Sequence, residues 1–231
     1  MLKSKKIRKN KNVITRNNNT EMEPLKKIRG IVAPIDRTDV DTDQIIPKQF
    51  LKKIERTGFG EFLFYDWRYK EDGTPNPDFV LNKPLFRKST ILLARKNFGT
   101  GSSREHAVWA LYDFGFRVII SPKFADIFYN NAFKNGLALI TLPEETVDQM
   151  FQKVYELEKQ NKPYYLTVDI EEQVIYDDFG FSTKFEMDPI RKMYIVEGLD
   201  EIGMTLKYED KIKEYEEKRK KLFPFREISQ K

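Results

Sequence analysis

An α/β fold is what this sequence predicts, with a mostly parallel central sheet, crossover helices and an additional β element. Three observations carry that expectation. From Thr90 to Leu142, short apolar runs alternate with helical spacing in the order strand, helix, strand, helix, strand. That order implies parallel pairing through right-handed crossovers. A glycine-rich turn joins the first of these strands to the first helix. Between Tyr164 and Met187 the pattern changes to a two-residue alternation, which suits a hairpin or meander with one wet face.

Residues 1–23 are rich in Lys and Asn and lack apolar periodicity. Such a segment cannot bury enough surface to offset its ordering entropy, so it is expected to be a disordered basic extension. Residues 24–231 are expected to form one domain, and Met22 is a candidate start of the functional chain. The extension also explains the net charge of +5. It holds seven basic and two acidic residues; removing these from 41 and 36 leaves 34 of each in residues 24–231. The globular part is neutral, so the basic pI is no argument for a polyanion-binding fold.

Ile28 to Ile35 reads as a strand, with Pro34 near its edge. Asp39, Asp41 and Asp43 follow, just ahead of a helix-like stretch from Gln44 to Lys53. Three carboxylates in five residues suggest a cation loop, but the rest of a calcium-loop pattern is missing, and local logic makes them helix caps. Lys52 to Asn82 carries Gly58, Gly60, Gly73, Pro75 and Pro77. It is long for a structureless connection, as a lid or mobile pocket-lining loop would be. Its aromatics read as packing residues.

Thr90 to Ala94 is long enough for a buried strand and too short for a helix. Arg104 to Phe114 follows, with Ala107, Ala110, Leu111 and Phe114 on one helical face. Arg117–Ser121 and Leu137–Leu142 are further buried strands, separated by a helix over Phe124–Asn135 that Gly136 stops. Glu144–Gln160 is a surface helix with Met150, Val154 and Leu157 inward. Tyr164–Ile170, Gln173–Tyr176 and Phe179–Met187 form the extra β element. Asp188 caps a helix running from Pro189 through Glu197. Tyr208–Leu222 is a charged, solvated C-terminal helix.

The stretch with the most chemistry is Lys96-Asn97-Phe98-Gly99-Thr100-Gly101-Ser102-Ser103-Arg104-Glu105-His106. Gly99 and Gly101 allow a close backbone approach, and Ser102 or Ser103 sits where a helix cap belongs. The helix start and the Arg104 fork together favour an anion. A plain capped turn would show the same local pattern. No third glycine of a dinucleotide fingerprint and no Gly-Lys-Ser/Thr of a P-loop is present. His106 is the only histidine, and without a Gly-x-Ser-x-Gly elbow it reads as a helix-packing group rather than a hydrolase base.

Phe98-Gly99-Thr100-Gly101-Ser102-Ser103-Arg104-Glu105-His106-Ala107 resembles the signature of 3-isopropylmalate dehydratase small subunits, relatives of aconitase. The resemblance includes Asp41-Thr42-Asp43-Gln44-Ile45-Ile46-Pro47-Lys48-Gln49-Phe50-Leu51 and Phe124-Ala125-Asp126-Ile127-Phe128-Tyr129-Asn130-Asn131. It also takes in Gly198-Leu199-Asp200-Glu201-Ile202-Gly203, and spans about Pro24 to Phe223. It implies an aconitase swivelling-domain-like fold and a hydro-lyase that moves a hydroxyl between adjacent carbons of a hydroxy diacid. Ser102 would be the catalytic base and Asp43 an active-site carboxylate. Ser103 and Arg104, with Gly99 and Gly101, would bind substrate.

The family's electrophile is a [4Fe–4S] cluster held by cysteine thiolates, and this chain has no cysteine. The resemblance therefore puts the cluster on a partner large subunit, with no metal on this chain. Many small subunits have Cys where Thr100 stands here. Sibling dehydratases acting on citraconate, methylmalate or homoaconitate would use the same catalytic residues. RNA-binding relatives of aconitase make nucleic acid a further, weaker alternative. No apolar run approaches a membrane span and no signal peptide opens the chain, so the expected location is cytoplasmic.

Overall fold

The computed structural model describes residues 22–52 and 57–222. Among the described residues, seven strands form one sheet: β1 (Lys27–Ile35), β2 (Ile91–Ala94), β3 (Val118–Ser121), β4 (Ala138–Thr141), β5 (Tyr165–Asp169), β6 (Val174–Asp177) and β7 (Ser182–Lys184). Their spatial order is β4-β3-β2-β1-β5-β6-β7. The half from β4 to β1 is parallel, as the strand–helix alternation predicts. The additional β element joins the same sheet as antiparallel β5, β6 and β7.

β1 is the seam between the two halves. Lys27–Ile31 pairs with β5, whereas Val32–Ile35 pairs with β2. Pro34 lies in the second half, beyond the β5 register, so its missing N–H breaks no ladder on that side. β2 and β3 are buried throughout, because helices cover both faces of the parallel half.

The helices are α1 (Thr42–Ile45), α2 (Tyr65–Arg68), α3 (Glu105–Phe114), α4 (Asp126–Lys134), α5 (Glu144–Lys159), α6 (Pro189–Glu197), α7 (Glu201–Leu206) and α8 (Glu209–Leu222). α3 and α4 are the crossovers between the parallel strands and pack on each other; α5 lies against β1, β2 and β3. α3 departs from the one-faced helix expected. Ala107 through Tyr112 are all buried, because the segment around Phe59 covers its second face. The Phe59 N–H donates to Asp113 at 3.1 Å, and the Phe59 ring meets His106 and Trp109.

Four other expectations need correction. The stretch from Gln44 to Lys53 is not one helix: α1 ends at Ile45 and a 3-10 turn resumes at Lys48–Lys52. Pro47 lacks the needed N–H and forces Ile46 into extended backbone. The loop from Lys52 to Asn82 is not structureless. It holds α2 and two 3-10 turns, and it buries Phe59, Leu63, Phe64 and Leu81. Arg68 ties it together, donating to the Gly60 carbonyl at 3.1 Å and the Asn82 carboxamide at 3.4 Å. Met22, placed by the sequence in the extension, is packed: its side chain and carbonyl lie against Gly136 and Gly198. Residues 1–21 of the expected extension lie outside the described residues. Finally, α7 is a helix where none is expected; Asp200 caps it by accepting from the Gly203 N–H at 2.7 Å. Asp188 caps α6 as expected, through the Ile190 and Arg191 N–H groups.

Candidate active site

The loops leaving the carboxyl ends of β1 and β2 build the site, the place where open α/β sheets carry ligands. They are stitched together by backbone bonds. Gly99 N–H donates to the Val40 carbonyl at 2.7 Å, and Thr42 N–H to the Thr100 carbonyl at 2.8 Å. The Thr42 hydroxyl reaches the Ser102 carbonyl at 3.2 Å. Asp39 N–H donates to the Lys96 carbonyl, and the Asn97 amide returns to the Asp39 carboxylate at 2.7 Å. Two motifs some sixty positions apart in the chain thus become one rigid unit.

The two glycines serve this joint. Gly99 has a φ of +83°, and a Cβ there would stand 2.2 Å from the Phe128 ring. Gly101 has a φ of +97°, and its Cβ would press on the Thr42 hydroxyl at 3.1 Å. Their bare faces therefore meet protein. The Gly99 amide is also committed, to the Val40 carbonyl.

The serines are not helix caps. α3 starts at Glu105, and the cap position falls to Arg104 in extended backbone, with no side-chain capping bond. Arg104 N–H instead closes a turn onto the Ser102 carbonyl at 2.8 Å. Gly101, Ser102 and Ser103 are exposed. The two serines directly precede the cap residue at the positive end of α3.

The structure brings Asp43 and Arg104 together. The Arg104 Nη1 donates to Asp43 Oδ1, and the Lys48 ammonium lies 3.7 Å from Asp43 Oδ2. Arg104's side chain is 17% exposed, Asp43's 41% and Lys48's 72%. Asp43 thus holds the fork of a largely buried arginine, a positioning contact, while Asp41 does the capping. Asp41 accepts from the Gln44 N–H at 2.7 Å while the Gln44 carboxamide accepts from the Asp41 N–H at 3.0 Å, a reciprocal box.

A support behind the turn had no sequence signal beyond an arginine directly after a buried strand. Arg95 binds Asp36 at 2.5 Å and also Asp148 of α5, over the Phe151 ring. Burial works against the Asp36 anion, but Arg95 and the Tyr155 hydroxyl outweigh it and hold the carboxyl below its ordinary range. The Ser121 hydroxyl fixes the Arg95 carbonyl at 2.8 Å. The base of the signature turn is pinned to β3 and α5.

His106 packs edge-on to Phe59 and against Trp109, with ring centres 5.3 and 4.7 Å apart. Burial lowers its proton affinity below the ordinary 6.5; Glu105 opposes the shift and Arg104 adds to it. As the only histidine, it gives a single imidazole titration by NMR, with a midpoint expected below 6.5. The unfolded chain then takes this proton first, so the contribution to stability is present above 6.5 and lost as pH falls through the folded midpoint. A midpoint above 6.5 would show a charged, partnered imidazole instead.

The [4Fe–4S] cluster implied by the resemblance finds no ligands here. The chain has no cysteine, and among the described residues no three His, Cys, Asp or Glu side chains converge as a metal site. The residues present do not fit that group. No helix among the described residues is long and apolar enough to cross a membrane.

The sheet, its crossovers and the stapled turns define an aconitase C-terminal-type domain, and the family profile of that domain matches residues 22–145. A second profile, for the C-terminal domain of the 3-isopropylmalate dehydratase small subunit, matches residues 201–224. The chain belongs to the family of 3-isopropylmalate dehydratase small subunits. It is 57% identical to the small subunit from Brevibacillus brevis over 199 residues, covering 86% of this chain and all of that protein. With the small subunit from Rhodopirellula baltica it shares 60% identity over 192 residues, 83% of this chain and 96% of the relative. The crystal structure of a 3-isopropylmalate dehydratase chain from Methanocaldococcus jannaschii shares the fold, with a TM-score of 0.56, 24% identity, and coverage of 84% of this chain and 99% of that one.

Proposed function

We propose that this chain is the small subunit of a cytoplasmic hydro-lyase that isomerises 2-isopropylmalate to 3-isopropylmalate by dehydration and rehydration, acting only beside a large subunit. The observation that carries the proposal is one exposed turn bearing Ser102, Ser103 and Arg104, stapled to Asp43. The relatives' names favour isopropylmalate over the citraconate, methylmalate and homoaconitate siblings and over RNA binding.

Elimination of water from a hydroxy diacid needs a base at the C–H carbon and a group that draws off the hydroxyl. Ser102 is the base. Its alkoxide takes the C–H proton, and the same oxygen returns the proton to the neighbouring carbon when water re-adds. A serine hydroxyl is a weak acid, so its anion needs donors fixed in advance: the first-turn amides of α3 and the Arg104 charge serve. Arg104 presents five N–H donors, of which Asp43 engages one nitrogen, leaving others for a substrate carboxylate beside the Ser103 hydroxyl. The group acting on the hydroxyl, a [4Fe–4S] cluster, belongs to the large subunit in this proposal.

The test is reconstitution. Mixed with its cognate large subunit, the chain should interconvert the two hydroxy diacids, followed by the ultraviolet absorbance of the alkene diacid. Alone, even after iron and sulfide loading, it should be inactive and lack iron–sulfur absorbance. Turnover by the isolated chain would overturn the shared site.

A further inference from the structure

We infer that Lys48 is a second substrate-contacting cation, taking the carboxylate of the diacid that Arg104 does not hold; this rests on the proposed function. The site so far answers only half of the substrate's charge. A hydroxy diacid arrives as a dianion, and Arg104 clamps one end. Asp43, an anion, is already in the site and offsets part of the arginine's charge. The structure sets a second cation, Lys48, against the other oxygen of Asp43.

Arg104 and Lys48 flank a single carboxylate, one on each oxygen. They therefore stand apart by roughly the width of that group plus one contact on each side. A malate-type skeleton separates its two carboxylates by two carbons, a comparable span.

The bonds of Lys48 point the same way. At 3.7 Å its contact with Asp43 is too long for a hydrogen bond, so its three donors are not spent there. With the side chain 72% exposed, this pair contributes little to stability. Pro47 breaks the chain after α1, and Lys48 opens the 3-10 turn of Lys48–Lys52, one turn of chain from Asp43. A compact ammonium on a flexible stem can swing from Asp43 to an incoming carboxylate. Arg104, partly buried and bound to Asp43, stays in place.

The experiment uses the enzyme reconstituted with its large subunit. Lys48→Met should raise KM for the diacid about ten- to a hundredfold, the worth of a charged hydrogen bond, with a smaller change in kcat. Lys48→Arg should recover part of the loss. The decisive measurement is a cycle with competitive inhibitors: 2-isopropylsuccinate, an unreactive diacid, and its two half-amides. Lys48→Met should weaken the diacid and one half-amide. It should leave the other half-amide, which lacks the carboxylate facing Lys48, within about threefold of wild type.

Equal loss on the diacid and both half-amides would overturn the inference, since Lys48 would then act through Asp43 or the fold. So would unchanged KM, or a loss explained by weaker subunit association in a pull-down titration. If wild-type enzyme fails to turn over either isopropylmalate, the proposed function falls instead, and the inhibitor cycle is not reached.

Discussion

Ser102→Ala in the reconstituted enzyme is expected to lower kcat by about two to four orders of magnitude, the usual loss for a missing general base. The melting temperature of the chain should stay unchanged. This pairing is informative because the competing role for a serine at this place is a helix cap, whose removal costs about 1 kcal/mol of stability. The structure takes that role away: the cap position of α3 is Arg104, and Ser102 contributes its backbone carbonyl, not its side chain, to the turn. The carbonyl accepts from Thr42 and from Arg104, and both bonds survive the substitution. Ser103 is expected to offer no rescue, since the proposed site commits its hydroxyl to the substrate carboxylate. A variant that kept more than about a tenth of wild-type kcat would require a base elsewhere. A large fall in melting temperature would restore a structural role to the hydroxyl.

The parallel half of the sheet was legible because its signals are local. β2, β3 and β4 are four-residue strands led by three apolar residues each, too short for helices, separated by windows of helical period. Asp188 followed by Pro189, and Gly198 at the far end, mark α6 by cap chemistry alone. What escaped were features made by distant partners. The segment around Phe59 looks like a glycine-rich loop, yet Arg68 and Asn82 hold it through side chain-to-backbone bonds that leave no periodicity. The second buried face of α3 exists only because that segment folds over it. In the site, the signature and the Asp41–Asp43 motif were each visible. Their stapling was not, because it joins residues some sixty positions apart, partly through backbone amides that every residue carries and partly through the Thr42, Asn97 and Arg104 side chains. The glycines point correctly to an unusual backbone, and the space where their side chains would stand is taken by Phe128 and Thr42.

Arg104→Lys tests the clamp, and here the expected loss is in binding. The substitution keeps the positive charge beside Asp43 but loses the planar fork that grips a carboxylate at two points. KM for the diacid should rise more than kcat falls, with kcat/KM down about ten- to a hundredfold, as for losing one charge-assisted hydrogen bond. Arg104→Ala should cost more. It leaves Asp43 facing only Lys48, and truncating one partner of a bonded charge pair costs about 2–5 kcal/mol when the pair is buried. With Asp43 two-fifths exposed, water screens the stranded carboxylate, and the lower end of that range applies. Comparing the two variants separates charge from geometry. If Lys and Ala fall equally, the two-point grip is what matters. If Lys behaves as wild type, Arg104 acts as a point charge, and the substrate carboxylate must be fixed by Ser103 and the α3 amides instead.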